Sequence, residues 1–321
     1  MKTKNCVLAL FIFSLTSFLF GAELTGFSFE SEFGFLNGTI IENVWNADVT
    51  TTGTTTTFSA TTKLSELDWQ LKNAPYYGAE INASFNHLFI NFDLKNSANC
   101  DSGIMEDYDW KITSKPDHLT NYSIHKNQID HFTTINAGLG YIFLINTVFP
   151  ISIKPEFGIT AMTFHFSGIG GHRTYESESW ETKYWADDEV VIAYSQSYVA
   201  PQLHITTDFD FTRHFETQLK LGFLYIDEYN AYDIHEKRHE YFNDRIKEAF
   251  VLDAQLKLYY KFNENHKLGL NAAINYMPDK YGFTYYSASA QKDFSGSPMS
   301  STLGGTSRLL WSYGFSYCYN Y

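Results

Sequence analysis

Two short segments of this chain hold the residues best suited to chemistry. In Gly103-Ile-Met-Glu-Asp-Tyr-Asp-Trp110, Asp107 and Asp109 stand two apart, so in an extended chain both carboxylates point the same way. Carboxylates at close range cannot both ionise easily, so such a pair keeps a proton or holds a water between its oxygens. In Tyr232-Asp-Ile-His235 the same spacing puts Asp233 and His235 on one face. A carboxylate beside an imidazole fixes its tautomer and stabilises the imidazolium once the ring has taken a proton. Neither motif is specific alone: a D-x-D in a polar loop is more often solvated or calcium-bound, and a D-x-H is more often a surface pair. Calcium needs more oxygen ligands than these segments set out, and no second His or Cys stands at zinc-ligand spacing from His235.

The elements around these segments alternate in polarity with period two. Leu88, Ile90, Phe92 and Leu94 oppose Asn91, Asp93 and Lys95; Leu252, Ala254, Leu256, Leu258 and Tyr260 oppose Asp253, Gln255, Lys257 and Lys261. The final stretch is the clearest, with Trp311, Tyr313, Phe315, Tyr317, Tyr319 and Tyr321 on one face and Ser312, Gly314, Ser316, Cys318 and Asn320 on the other. Such a pattern predicts strands. Connections alternate as well: short ones near Asn86, Asn146 to Pro150, Asp208 to His214 and Phe262 to His266, long ones near Asn46 to Thr57, Asn96 to Asp130, Gly168 to Glu189, Asp233 to Lys247 and Pro278 to Ser307. Short turns on one side and long loops on the other describe an all-β, ten-stranded antiparallel transmembrane β-barrel with long extracellular loops. Both catalytic candidates then fall at the extracellular end. One parity conflict stands out. Leu219, Leu221, Phe223 and Tyr225 form an apolar face of the same parity as Asp233 and His235, so a bulge between Tyr225 and Asp233 is required if the dyad is to face inward.

Lys2 and Lys4 precede an apolar run from Cys6 to Phe20 that ends in Gly21 and Ala22. This predicts a signal peptide over residues 1–22, with residues 23–321 as the barrel domain. Aromatic residues make up 18% of the chain while the mean hydropathy is −0.26: large rings are spread among polar residues, as on a barrel with a wet lumen. A soluble lipocalin-like barrel would show the same alternation, but a polar exterior fits poorly with so many rings, and the signal peptide and aromatic terminus favour the membrane. Cys100 and Cys318 are expected as free thiols. The net charge of −13 lies largely in the long loops. An acidic rim attracts cationic peptides and excludes nucleic acid as a partner, although acidic loops also simply keep a rim soluble.

With these residues in place, the sequence resembles the omptin family of outer-membrane proteases. The similarity is strongest over Lys63-Leu-Ser-Glu-Leu-Asp-Trp69 and Asn73-Ala-Pro75. The resemblance implies an aspartic-type endopeptidase in the outer membrane, monomeric, without cofactor or metal, whose substrates are cationic peptides or proteins and whose activity depends on an outer-leaflet lipid. Asp107, Asp109, Asp233 and His235 match the family's catalytic residues, with His235 as general base oriented by Asp233. Ser123 and His125 fit a supporting S-x-H, and Glu42 fits a substrate-binding acid. The chain departs at Ala231, where a second acid of that pocket is expected and for which Asp227 or Glu228 would have to substitute. It departs again at Asn121, another acid position, and at Thr163 and Ser197, where the family carries basic lipopolysaccharide ligands. A non-catalytic barrel, adhesin or small pore, is the alternative, and a barrel acting on lipid is a third reading. Retention of all four catalytic candidates weighs against the non-catalytic barrel.

Overall fold

A computed structural model describes residues 23–52, 55–145, 148–288 and 293–321; the expected signal peptide lies outside them. The strands are β1 (Gly26–Thr52), β2 (Thr55–Phe85), β3 (Leu88–Ser97), β4 (Cys100–Asp109), β5 (Asn121–Tyr141), β6 (Phe143–Ile145), β7 (Ile151–Tyr175), β8 (Thr182–Tyr184), β9 (Val190–Asp210), β10 (Phe215–His235), β11 (Glu240–Lys261), β12 (His266–Ser287) and β13 (Thr302–Asn320). Every neighbour pair is antiparallel, and β13 closes on β1 from Ser28↔Asn320 to Asn46↔Thr302. β3 and β4 are two parts of one wall. β3 pairs with β2 over Tyr76–Phe85 and β4 pairs with it over Ser65–Trp69. With that wall counted once and the three-residue β6 and β8 set aside, the ring has ten strands.

The terminal strand faces as its pattern requires: Trp311, Tyr313, Phe315 and Tyr317 are exposed, whereas Gly314, Ser316 and Cys318 are buried. The outward rings of β13 join Phe33, Ile81, Phe157, Leu203, Leu221 and Leu256 in an apolar exterior. A membrane crossing needs only about 9–11 residues per strand. β2 has 31 and would extend roughly 100 Å at ~3.3 Å per residue. The surplus stands above the membrane as sheet, so most segments expected as long loops continue as strand. Asp233 to Lys247, for example, is strand except for the turn between His235 and Glu240.

Inside, the lumen is layered. Its lower part is a charged network in which Lys257 meets Glu30 at 3.1 Å and Glu80 at 2.8 Å, and Lys267 meets Glu216 at 2.9 Å. Above lies an apolar floor. Trp69 stacks on Tyr194 with centroids 5.9 Å apart, tilts over Phe166 at 6.0 Å, and Phe166 stacks on Phe164 at 4.8 Å. These four rings are fully buried and occupy the lumen between the charged network and the mouth. Above it the wall is acidic.

Candidate active site

The parity conflict is resolved by a paired bulge. Asp227 and Glu228 on β10 are both exposed, as are Lys247 and Glu248 on β11, and Glu248 has φ of 54°. Across this point the β10–β11 register is unbroken, from Ile226↔Ala249 to Glu228↔Lys247, while the β9–β10 register slips between Leu224 and Asn230. Both strands therefore flip faces together. Below the bulge the even residues Leu224 and Ile226 are buried; above it the odd residues Tyr229, Ala231 and Asp233 are. Asp227 and Glu228 consequently point outward, Glu228 meeting Lys247 at 3.3 Å. They do not replace the acid missing at Ala231.

Asp233 and His235 are joined through Asp233 Oδ2 and His235 Nε2 at 2.7 Å. The other ring nitrogen, Nδ1, meets the Arg238 guanidinium. A guanidinium only donates, so Nδ1 is the unprotonated nitrogen and Nε2–H points to the carboxylate. Phe242, opposite Asp233 on β11, sets its ring edge-on to the imidazole at 5.7 Å.

On the facing wall Asp107 lies in register with Leu67 of β2 and Ser123 of β5. Ser65 Oγ donates to it at 3.4 Å. Asp109 is held by Lys111 at 2.9 Å and by the Asn121 side-chain amide at 3.0 Å. Burial, followed by the charge of Asp109, pushes the Asp107 carboxyl up to about 7; His235 and Lys111 pull it down, and Asp233 pushes it further up. The charges of the dyad are thus felt at Asp107 from the β10 side of the ring.

Behind Asp107, His125 is buried and its neutral form is favoured, burial lowering its pKa to about 4. Its Nδ1–H donates to the Gly170 carbonyl at 2.6 Å, which leaves Nε2 to accept the Ser123 hydroxyl at 3.0 Å. This chain orients Ser123 next to Asp107.

Glu42 is 1% exposed, just above the Trp69 floor. Burial, then the charges of Asp233, Asp244 and Asp107, raise its carboxyl well above the usual range. Sequence reasoning missed Asp244. Its signal was the β10–β11 register, which can be counted back from the turn: Asp244 stands opposite Ala231 and shares its inward face. Cys100 and Cys318 are both free.

The omptin family model matches residues 23–319. The chain belongs to the omptin family. It is an outer-membrane barrel of a protease family, with its cleft on the extracellular side. Among solved structures, this omptin is similar to the outer membrane protease OmpT from Escherichia coli, with 18% identity over 93% of this chain and 98% of that one and a TM-score of 0.76. It is more distantly similar to the translocator domain of the autotransporter NalP from Neisseria meningitidis, with 10% identity, 97% and 95% coverage and a TM-score of 0.36. No curated protein matches the chain significantly. Thr163 and Ser197, aligned with the positions at which the resemblance implies basic lipid ligands in the family, are a cross-strand pair of β7 and β9.

Proposed function

We propose that this omptin is an endopeptidase that activates a water between the Asp233–His235 dyad and the Asp107–Asp109 pair, cutting next to basic residues. The observation that carries the reading is the placement of both motifs at the same end of the ring on facing walls, Asp107 and Asp109 at the end of β4 and Asp233 and His235 at the end of β10, with the charges of the dyad felt at Asp107. Substrate entry moves Arg238 aside and frees Nδ1. Nδ1 then takes a proton from the water as its oxygen attacks the scissile carbonyl carbon. Asp233 stabilises the resulting imidazolium. Asp107, partly protonated near neutrality, donates a hydrogen bond to the developing oxyanion, while Lys111 and Asn121 hold the Asp109 side chain in place beside it. The proton on His235 passes to the leaving amine as the C–N bond breaks. No covalent intermediate forms.

Glu42 supports the basic preference. It is a buried acid without a cationic partner among the described residues, its Oε2 unmatched by any donor and its ionised form disfavoured by burial and the neighbouring acids, which a cationic guest would reverse. A lysine or arginine side chain would supply the donors. A pore reading fits poorly with the buried rings of Trp69, Phe164, Phe166 and Tyr194 packed on one another inside the barrel. Dependence on an outer-leaflet lipid, a monomeric state and freedom from cofactors belong to the same proposal.

The test is cleavage of fluorogenic peptides by the barrel refolded in detergent, with and without outer-leaflet lipid, using arginine, lysine and neutral residues before the scissile bond. Absence of cleavage under all conditions defeats the enzyme reading. Unchanged rates in His235→Ala or Asp107→Asn defeat the mechanism.

A further inference from the structure

We propose that Asp244 is the second carboxylate of the pocket begun by Glu42, and that the two together receive one cationic side chain of the substrate. This rests on the reading of Glu42 given above. Asp244 projects from β11 opposite Ala231 of β10, and the two are 3% and 1% exposed. Paired residues on one face of an antiparallel ladder have Cβ atoms about 5 Å apart. A carboxyl group at 244 therefore reaches the same lumen wall as one at 231 would, one strand over.

The surroundings are built to hold a carboxyl here. Thr284 Oγ1 donates to Asp244 Oδ1 at 2.7 Å. Gly304 clears the volume beside it: a Cβ at 304 would lie 1.9 Å from the carboxyl carbon and 2.0 and 2.1 Å from its oxygens. Any other residue at 304 would displace the group.

The Asp244 carboxyl lies against Gly304, which pairs with Val44 of β1, and Glu42 pairs with Thr306 two residues along the same β1–β13 ladder; the two acids therefore stand on one stretch of wall, and the charge of Asp244 is felt at Glu42. Among the described residues no lysine or arginine pairs with Glu42, Asp233 or Asp244, and Glu42 Oε2 and Asp233 Oδ1 are buried without a donor. Acids whose ionised forms are held back by burial and by one another favour a guest that brings positive charge and hydrogen-bond donors. Asn, Ser or Thr would meet a purely structural need at lower cost. The acid that the sequence lacks on β10 is thus supplied across the ladder by β11.

The experiment separates this from catalysis by reading binding. A fluorescent peptide carrying one arginine, and its uncharged citrulline counterpart, are titrated by anisotropy against the refolded full barrel and against Asp244→Asn. The native fold of each variant is verified by heat-modifiable electrophoretic mobility. The arginine peptide is expected to bind the parent more tightly than the citrulline one, and Asp244→Asn is expected to shrink that ratio about ten- to hundredfold, the worth of a charge-assisted hydrogen bond. The double variant Ala231→Asp/Asp244→Ala, which returns the carboxylate to β10, is expected to restore it. An unchanged ratio in Asp244→Asn, or no arginine preference in the parent, overturns the inference. If the parent prefers arginine but cuts no peptide, the inference stands and the protease reading falls.

Discussion

His235 is gripped from both sides: its Nε2 meets Asp233 at 2.7 Å, and its Nδ1 meets Arg238, which itself lies 2.9 Å from Glu240. The base nitrogen is therefore oriented but capped. Arg238 sits in the exposed turn between β10 and β11, so breaking its contact costs little, on the order of 1 kcal/mol. Arg238→Gln is expected to raise kcat/KM roughly threefold to tenfold. A lower or equal kcat/KM would show that Arg238 helps the substrate instead of obstructing Nδ1.

Removing Asp233 should leave the imidazole present but unsupported. Asp233→Asn is expected to lower kcat by about 10²–10⁴ with a smaller change in KM, measured by steady-state cleavage. A loss confined to KM would place Asp233 in substrate binding.

Asp107 sets an alkaline limit. Its carboxyl titrates at about 7, and Lys111 is among the charges that hold it down. Because the protonated form donates to the oxyanion, activity should fall as pH rises through that value. Lys111→Met removes a lowering charge, so the alkaline limb of kcat/KM should move up. The shift should be only a few tenths of a pH unit, roughly, because Lys111 is half exposed and screened. A downward shift would refute the assignment.

Burial is the largest cause that pushes the Asp244 carboxyl up to about 7, with the charge of Asp233 adding to it. The folded chain then keeps a proton that the unfolded chain, at an ordinary carboxylate pKa near 3.8, gives up. Stability at this site falls as pH rises from about 4 to about 7 and stays lower above it. Asp244→Asn should raise the unfolding temperature at pH 8 and change it little at pH 4. Equal shifts at both pH values would mean that the ionised group is not the source.

Gly304→Ala is expected to mimic loss of Asp244, since its Cβ would overlap that carboxyl. Arginine discrimination should drop while cleavage of neutral sites persists. Retained discrimination would show that Asp244 moves aside without consequence.

Much of the barrel was legible in the chain because lipid, lumen and pleat share the same period of two. Trp311 to Tyr321 announced the outward face directly, and Asn86 and the turn after Phe262 marked the short-turn end. The upper barrel was harder to read. There both faces carry polar residues, and the stretch from Asp233 to Lys247 looked like loop because no lipid marks its exterior. The requirement for a bulge was legible at Tyr225 to Asp233, but its place was not: Asp227, Glu228, Lys247 and Glu248 flip together, and that concerted change is invisible in either strand alone.

The sequence by itself determined an all-β chain with its acids and His235 gathered toward one end, because side-chain alternation and turn length are local properties. Only the tertiary structure decided which of those groups meet. Asp107 ends β4 and Asp233 and His235 end β10 at the same end of the ring, Asp227 and Glu228 turn away, and Asp244 arrives opposite Ala231. Each outcome depends on register and closure across strands far apart in sequence, where a slip of one residue sends a side chain to the other face.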